Sequence, residues 1–253
     1  MNIDDKFLSF VLDGTCHLAD APHKNIQRTY NKMPLYNVNG KDLQVFVSEY
    51  SLTSFLKTII DLKSLNYTFN VTSEQVQSVI DNFDKPFGDS QTVLMKIATT
   101  PSNESEPTVT VSHDVSKISF EIQIHVMNPF DSSVDAVVMK AKITPSVMMS
   151  VRSDYKLYME LQEDMELQFT EAKAFFKSAL NKDQLNTRIN FVKPILVAFI
   201  NSKLMDGIAL PIPAQYKSII KNPKVLSFDH YLTVEFEPDF TQQKKQVEAS
   251  RVV

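Results

Sequence analysis

Several features are scarce in this sequence of 253 residues, and each scarcity excludes a class of protein. The single cysteine, Cys16, cannot form an internal disulfide or a cysteine-based metal cluster. Four widely separated glycines leave no glycine-rich loop for a phosphate, which excludes dinucleotide-binding and P-loop folds. No apolar run approaches the roughly eighteen residues that a membrane-spanning helix needs. The net charge of −4 argues against binding to nucleic acid or anionic membranes by charge alone.

The sequence also lacks a recognisable catalytic constellation. Its five histidines show no metal-ligand spacing, and no serine stands in a Gly-x-Ser-x-Gly motif. His230 is predicted to lie on the buried side of a strand, His125 to be solvated, and Cys16 to be a small apolar filler. The acidic pairs Asp4-Asp5 and Glu163-Asp164 are interpreted as solvated surface. We therefore expect a protein that is not an enzyme and that uses no cofactor or metal.

Period-two alternation dominates the middle and the end of the chain and predicts half-buried β-strands. In the clearest case, Ile118, Phe120, Ile122, Ile124 and Val126 alternate with mostly polar residues. Similar stretches predict six further strands, at Val93–Ile97, Val134–Ile143, Val147–Arg152, Lys156–Leu161, Met165–Phe169 and Phe228–Phe236. The brief polar turns between them favour an antiparallel meander, and Thr99–Pro107 is predicted to be a hairpin tip.

Three segments instead have helical spacing. The first follows Ser48 as N-cap and has Leu52, Phe55, Leu56 and Ile59 on one face. The second begins with a capping box at Thr72–Gln75. The third and longest runs from Asn181 to a glycine C-terminus at Gly207, with a kink predicted at Pro194.

Three further predictions concern domain organisation, glycosylation and compartment. Nothing divides the chain, so we expect one domain over residues 1–237 and a frayed polar tail over 238–253. Three sequons, at Asn66, Asn70 and Asn103, are weak glycosylation candidates, since about two would arise by chance. The first residues have no signal-peptide pattern, which favours an intracellular location.

Several stretches, taken in order, resemble one known family. Leu43–Leu56 continuing into Leu65–Phe69, and Ile200–Pro211, are similar to stretches of the bactericidal/permeability-increasing, lipopolysaccharide-binding and cholesteryl-ester-transfer protein family. Phe7–Gly14 would be the first strand and Leu226–Val234 the closing one. The order and spacing resemble the carboxy-terminal half of a two-domain member.

This resemblance implies the tubular lipid-binding fold, of class α+β. A long, strongly curved antiparallel sheet wraps around a long helix, and a second helix closes an elongated barrel. An apolar tunnel between helix and sheet would hold acyl chains, and Met95, Met148 and Met149 would adapt to their shape. The candidate lining residues are Phe55, Ile59, Met95, Ile118, Phe120, Ile122, Met149, Val192, Leu196, Phe199, Phe228 and Leu232.

Two hypotheses of different kinds remain open. The first is a non-enzymatic lipid-binding or lipid-transfer module, with a lipid or another apolar small molecule as ligand. The second is a structural or interaction module that has the same fold with its tunnel filled by side chains. The resemblance also implies a secreted or vesicular-lumen location and a second like domain or subunit placed end to end. The acidic net charge disfavours recognition of lipopolysaccharide.

Overall fold

The computed structural model describes residues 2–3, 8–9, 15–16, 43–79, 92–174, 191–217 and 220–239. The strands in these ranges are β1 (Asn2–Ile3), β2 (Leu8–Ser9), β3 (Leu43–Ser48), β4 (Tyr67–Thr72), β5 (Thr92–Thr99), β6 (Thr108–Thr110), β7 (Ser116–Asn128), β8 (Asp131–Thr144), β9 (Ser146–Val151), β10 (Lys156–Leu161), β11 (Glu166–Ala174), β12 (Ile208–Ala209), β13 (Ile220–Phe228) and β14 (Tyr231–Pro238). The helices are α1 (Glu49–Asp61), α2 (Ser73–Val79) and α3 (Val192–Leu204), with a 3₁₀ turn at Ala214–Tyr216.

The main sheet is an antiparallel meander built around β7. Strands β8 and β9 form one continuous register along an edge of β7, where Phe120 pairs with Ile143 and Ser116 with Val147. Pro145 separates the two strands because it has no N–H for the ladder, although its carbonyl accepts a bond from the Ile118 N–H at 3.2 Å. On the edges of β9 and β8 that face away from β7, β10 pairs antiparallel with β9, and β11 pairs antiparallel with β8. The segments with an apolar residue at every second position therefore form long strands that are separated by short interruptions.

The segment Thr99–Pro107 is not the hairpin tip that the sequence predicts. Strands β5 and β6 both pair with β7, and their registers show no pairing with each other in the described sheet. The segment between them lies against α1, where Ser102 donates bonds to both carboxylate oxygens of Asp61 and Lys57 pairs with Glu106 at 2.8 Å. The polar residues that suggested an exposed tip are used to attach this segment to the helix.

Burial follows the predicted alternation in the meander. On β7, every second residue from Ile118 to Val126 is buried, and on β5 the buried positions include Val93, Met95 and Ile97. The sheet curls into a half-barrel, and its buried face joins side chains from α1 and α3 in one apolar core. The predicted α+β class with a curved antiparallel sheet is confirmed.

A second, three-stranded sheet corrects the prediction for Phe228–Phe236. The apolar alternation crosses a turn at Asp229–His230, so these residues belong to two strands, β13 and β14, which pair antiparallel. His230 lies in this turn with a φ of 73°, and its side chain is 55% exposed, so it is not an interior histidine. Strand β14 lies between β13 and β3 and is buried at every position from Leu232 to Phe236.

The predicted helix signals are largely present. In α2, the Thr72 N–H donates to Gln75 Oε1 at 3.0 Å and the Gln75 N–H donates to Thr72 Oγ1 at 3.3 Å, which is the predicted capping box. Helix α3 begins at Val192 with Phe191 as its N-cap, so Pro194 lies in the first turn, where its missing N–H costs no helical bond and no kink is required. Gly207 follows this helix with a φ of 63°, as its predicted C-terminal role requires.

Some predictions fall outside the described residues. These are the start of the third helix at Asn181, most of the first strand at Phe7–Gly14, the pair Asp4-Asp5, and the tail beyond residue 239.

Candidate functional site

Most of the predicted lining side chains lie deep in the core. Seven of them have at most 2% of their surface exposed, namely Met95, Ile118, Phe120, Ile122, Val192, Leu196 and Leu232. A side chain that lines an open tunnel wide enough for hydrocarbon keeps surface that water can reach. At these positions the neighbours are protein atoms, so a ligand that contacts them must first displace part of the core.

The other five predicted lining residues are half-buried. Phe55, Ile59, Met149 and Phe199 pack against the margin of the apolar core and keep some accessible surface. Phe228 lies at the end of β13, where its ring stacks on Tyr231 with centroids 5.1 Å apart. Met148, the neighbour of Met149, is 54% exposed because successive strand residues point to opposite faces.

An aromatic group joins β4 to α3, and the sequence analysis singled out only its member Phe199. The Tyr67 ring stacks on Phe199 at 4.3 Å and on Phe69 at 5.5 Å, measured between centroids. The Lys203 Nζ lies 5.5 Å from the centroid of the Phe199 ring. Tyr67 is 37% exposed, and Phe69 and Phe199 are half-buried. We refer to Tyr67, Phe69, Phe199 and Lys203 as the aromatic seam.

On its other side, α3 is attached to β10 by one amide side chain. Asn201 Oδ1 accepts a bond from the Leu161 N–H at 2.7 Å, and Asn201 Nδ2 donates to the Leu161 carbonyl at 3.1 Å. Leu161 is the last residue of β10, where the ladder with β9 ends. The helix side chain therefore satisfies strand backbone groups that would otherwise be left unpaired at this interruption.

A partly open pocket of about 190 Å³ lies beside the first turns of α3. It is lined by Pro194 and Val197, by Lys193, and by Glu163 from the segment between β10 and β11. Its lining combines apolar groups with one cation and one carboxylate. None of these four residues was a predicted lining residue.

The polar residues weighed as chemical candidates have structural contacts. His125 is half-buried and its Nδ1 lies 3.0 Å from Asp135 Oδ2, so it is paired rather than simply solvated. Asp164 accepts bonds from the Ser146 N–H at 3.3 Å and from its hydroxyl at 2.6 Å. Burial raises the pKa of the Cys16 thiol, partly offset by its hydrogen bond with Ser54, so the thiol is a poor nucleophile near neutral pH.

The three sequons lie in different settings. Asn66 is half-buried, and its Oδ1 accepts bonds from the Thr99 N–H at 3.1 Å and the Thr99 hydroxyl at 3.4 Å. Asn70 is exposed on β4, and Asn103 is exposed in the segment attached to α1. By exposure, Asn70 and Asn103 are better glycosylation candidates than Asn66.

Neither a metal site nor a membrane-spanning helix is found in the described part of the chain. No three His, Cys, Asp or Glu side chains there lie close enough together to hold an ion. No helix within the same ranges has both the length and the apolar character needed to cross a bilayer.

Comparison with known proteins identifies the family to which this chain belongs. Residues 43–240 match the family model described as LBP / BPI / CETP family, C-terminal domain. The chain belongs to this family. A search of curated proteins gave no match.

Two solved structures are similar to this LBP / BPI / CETP family chain at low identity. Lipopolysaccharide binding protein has 12% identity and a TM-score of 0.44, with 85% of this chain and 47% of that chain covered. P47 of Clostridium botulinum E1 has 9% identity and a TM-score of 0.33, with 85% and 54% covered. The chain thus spans about half the length of the solved chains that it matches.

The first family-like stretch, Leu43–Leu56, contains the start of α1 and attaches this helix to the main sheet and to the three-stranded sheet. Ser48 caps the helix by accepting the Ser51 N–H at 3.1 Å. Glu49 Oε2 accepts the Val111 N–H at 3.0 Å, and the Glu49 N–H donates to the His230 carbonyl at 3.0 Å. One residue therefore joins the helix start, the end of β6 and the β13–β14 turn.

The second family-like stretch contains Asn201 and Gly207, which position α3 and the chain after it. A Cβ on Gly207 would lie 3.0 Å from Tyr158 Cε1 and 3.1 Å from the Leu157 carbonyl oxygen, in addition to the strain of its positive φ. This glycine allows the chain to leave α3 close to β10 and to pair with it as β12.

Proposed function

We propose that this protein is a non-enzymatic lipid-binding module that holds acyl chains in an apolar space between α3 and the curled sheet. The observation that carries the proposal is the family match over residues 43–240. The curled sheet supports it, because its buried face and both 13-residue helices contribute to one continuous apolar core. Hydrocarbon burial would supply the affinity, at about 0.8 kcal/mol per methylene, with few polar contacts.

The half-buried residues at the margin of the core are the best candidates for first contact with a chain. Phe55 and Ile59 on α1, Phe199 on α3 and Met149 on β9 combine accessible apolar surface with packing against the core. Methionine adapts its shape easily, which suits a ligand that varies in length. The deeper predicted lining residues would join the site only after the core has opened around the ligand.

Mass spectrometry of organic extracts from the purified protein tests this function, together with uptake of a fluorescent fatty acid. We expect co-purified lipid and saturable uptake. Phe55→Ser should weaken uptake by about tenfold, because it removes part of the apolar contact surface. Leu62→Ser is the matched control, since Leu62 ends the same helix but is 57% exposed. Absence of both co-purified lipid and uptake would overturn the proposal.

The second candidate is an interaction module with a filled interior. It is supported by the near-zero exposure of the seven deep lining residues, among them Phe120 at 2% and Leu196 at 1%. On this alternative, extracts contain no lipid, and the melting temperature does not change when fatty acid is added. Lipid binding would instead raise the melting temperature, since a ligand that binds only the folded state stabilises it.

The partner that we propose is a second like domain or subunit, placed end to end with this one. Its support is that the matched family model is described as a C-terminal domain, which points to a further domain in members of this family. Sedimentation velocity on the full natural protein tests this arrangement. A compact, monomeric species with the mass of one domain would contradict it.

A further inference from the structure

The closed interior raises the question of where a ligand gets in. Seven predicted lining side chains are at most 2% exposed, so an acyl chain reaches them only if an element at the boundary moves. Helix α3 supplies two of these side chains, Val192 and Leu196. Moving it would therefore open the core directly.

The two sides of α3 are held by contacts of different kinds. Toward β10, Asn201 makes two hydrogen bonds with the backbone of Leu161, at 2.7 and 3.1 Å. Toward β4, the contact is the stacking of Phe199 on Tyr67, which is 37% exposed. Stacked rings separate without leaving buried polar groups unpaired, whereas breaking the amide contact would leave an N–H and a carbonyl without partners.

Strand β4 is also a weak boundary. In the described sheet it pairs only with β5, so it is an edge strand on the side of the aromatic seam. Phe69 and Phe199 pack against the apolar core while Tyr67 reaches solvent. The seam is therefore a continuous apolar path from the surface to the interior.

The cation at the seam indicates which ligand it suits. Lys203 is exposed one turn after Phe199 on α3, with its Nζ 5.5 Å from that ring, and has no ion-pair partner among the described residues. An ammonium beside an exposed aromatic group is the combination that interacts with the headgroup region of lipids. A single acyl chain with an anionic headgroup would place its charge near Lys203 and its hydrocarbon between the rings.

We propose that the aromatic seam is the portal through which an acyl chain with an anionic headgroup enters, while α3 pivots about its Asn201 attachment. This proposal rests on the proposed lipid-binding function and names the route and the class of ligand. Separation of Phe199 from Tyr67 exposes the inner face of α3, and the arriving chain replaces the lost ring contact. The attachment to Leu161 keeps the helix in register during opening.

Bridging the seam tests the proposal. In a Cys16→Ser background, Tyr67→Cys and Phe199→Cys are joined by a short bismaleimide, and uptake of a fluorescent fatty acid is followed by stopped flow. We expect the bridged protein to load about tenfold more slowly or not at all, because gating by an element that must move is blocked. The matched control is the same double variant capped with N-ethylmaleimide, which carries the same two substitutions with the seam free to open and should load about tenfold faster than the bridged protein.

A second bridge controls for cross-linking itself. Glu121 and Lys142 face each other on β7 and β8, and a bismaleimide between cysteines at these two positions should leave uptake unchanged. Equal uptake rates for the bridged and capped seam variants would overturn the portal while leaving lipid binding intact. No uptake by the unmodified protein at equilibrium would overturn both.

The interaction of Lys203 with an anionic headgroup is tested by a separate measurement. Lys203→Met should slow uptake of a fluorescent fatty acid several-fold and leave its uncharged methyl ester unaffected. A fluorescent lysophosphatidate tested in parallel shows whether a carboxylate or a phosphate headgroup is preferred. An equal effect of the substitution on the charged and uncharged probes would overturn the assignment of an anionic headgroup.

Discussion

At the scale of single residues, Asn201 attaches α3 to the end of β10. The oxygen and the nitrogen of its side-chain amide each form a hydrogen bond with the backbone of Leu161. Leu161 lies 40 positions away in sequence and is itself 2% exposed. The sequence shows an asparagine in a family-like helix but not its partner, because the interruption after β10 arises only when the meander is assembled. This structural contact of the side chain could not have been predicted from the local sequence pattern.

Replacing Asn201 should destabilise the protein strongly. Asn201→Leu would leave a buried N–H and a buried carbonyl without partners, and we expect a loss of about 2–4 kcal/mol in the free energy of unfolding. Urea unfolding followed by circular dichroism measures it. Ser202→Ala, the exposed neighbour on the same helix, should change stability by less than about 1 kcal/mol. Equal stability of the Asn201→Leu variant and the unmodified protein would contradict the role of this attachment.

The lone thiol offers a test of the environment around Cys16. Its pKa is raised, mainly by burial, so at a given pH less thiolate is present in the folded protein than in the unfolded one. At pH 8 the folded protein should react with a disulfide reagent more slowly than the protein in denaturant, by a factor of about three or more. The folded rate should continue to rise above the ordinary thiol pKa of 9.0. A folded rate that equals or exceeds the unfolded rate would contradict this assignment.

At the scale of secondary structure, the sequence correctly predicts those features that depend only on residues within one helix or strand. The Ser48 cap and the Thr72–Gln75 capping box form as predicted because these bonds close within three residues. The alternation on β7 is likewise confirmed, since one face of that strand is buried and the other is polar.

The element-scale errors have identifiable causes. Strand β14 is buried at consecutive positions, and the Asp229–His230 turn contains no glycine, so alternation runs unbroken from β13 into β14. The pairing of both β5 and β6 with β7 depends on a third strand, which a local pattern does not specify. His125 contacts Asp135 beside a register shift in β7 and β8, which period-two counting cannot anticipate.

Removing the cap of α1 tests whether that helix depends on its predicted start. Ser48→Ala loses the acceptor for the Ser51 N–H and should cost about 1 kcal/mol of stability, measured as a lower urea midpoint. Ser51→Ala keeps that backbone bond and removes only the contact between the two hydroxyl groups, 2.9 Å apart. Its effect should be clearly smaller. A larger loss for Ser51→Ala than for Ser48→Ala would show that the cap is not the stabilising contact.

At the scale of the whole molecule, the sequence predicts the curved antiparallel sheet better than it predicts the interior. Order and spacing of family-like stretches identify the fold, and the match over residues 43–240 confirms the family. Apolar periodicity cannot distinguish side chains that fill a core from side chains that line a space, because both require the same residues. The lining residues therefore stay a prediction, and the structure distinguishes seven deep positions from five at accessible margins.

Photolabelling with a diazirine-bearing fatty acid tests the central claim of acyl-chain binding most directly. After irradiation and peptide mapping, we predict saturable labelling of peptides from α1 and α3, and of the β4 peptide with Tyr67. Excess unlabelled fatty acid should compete it away. No saturable labelling, or labelling confined to exposed sites such as Phe130 and Met148, would contradict lipid binding between helix and sheet.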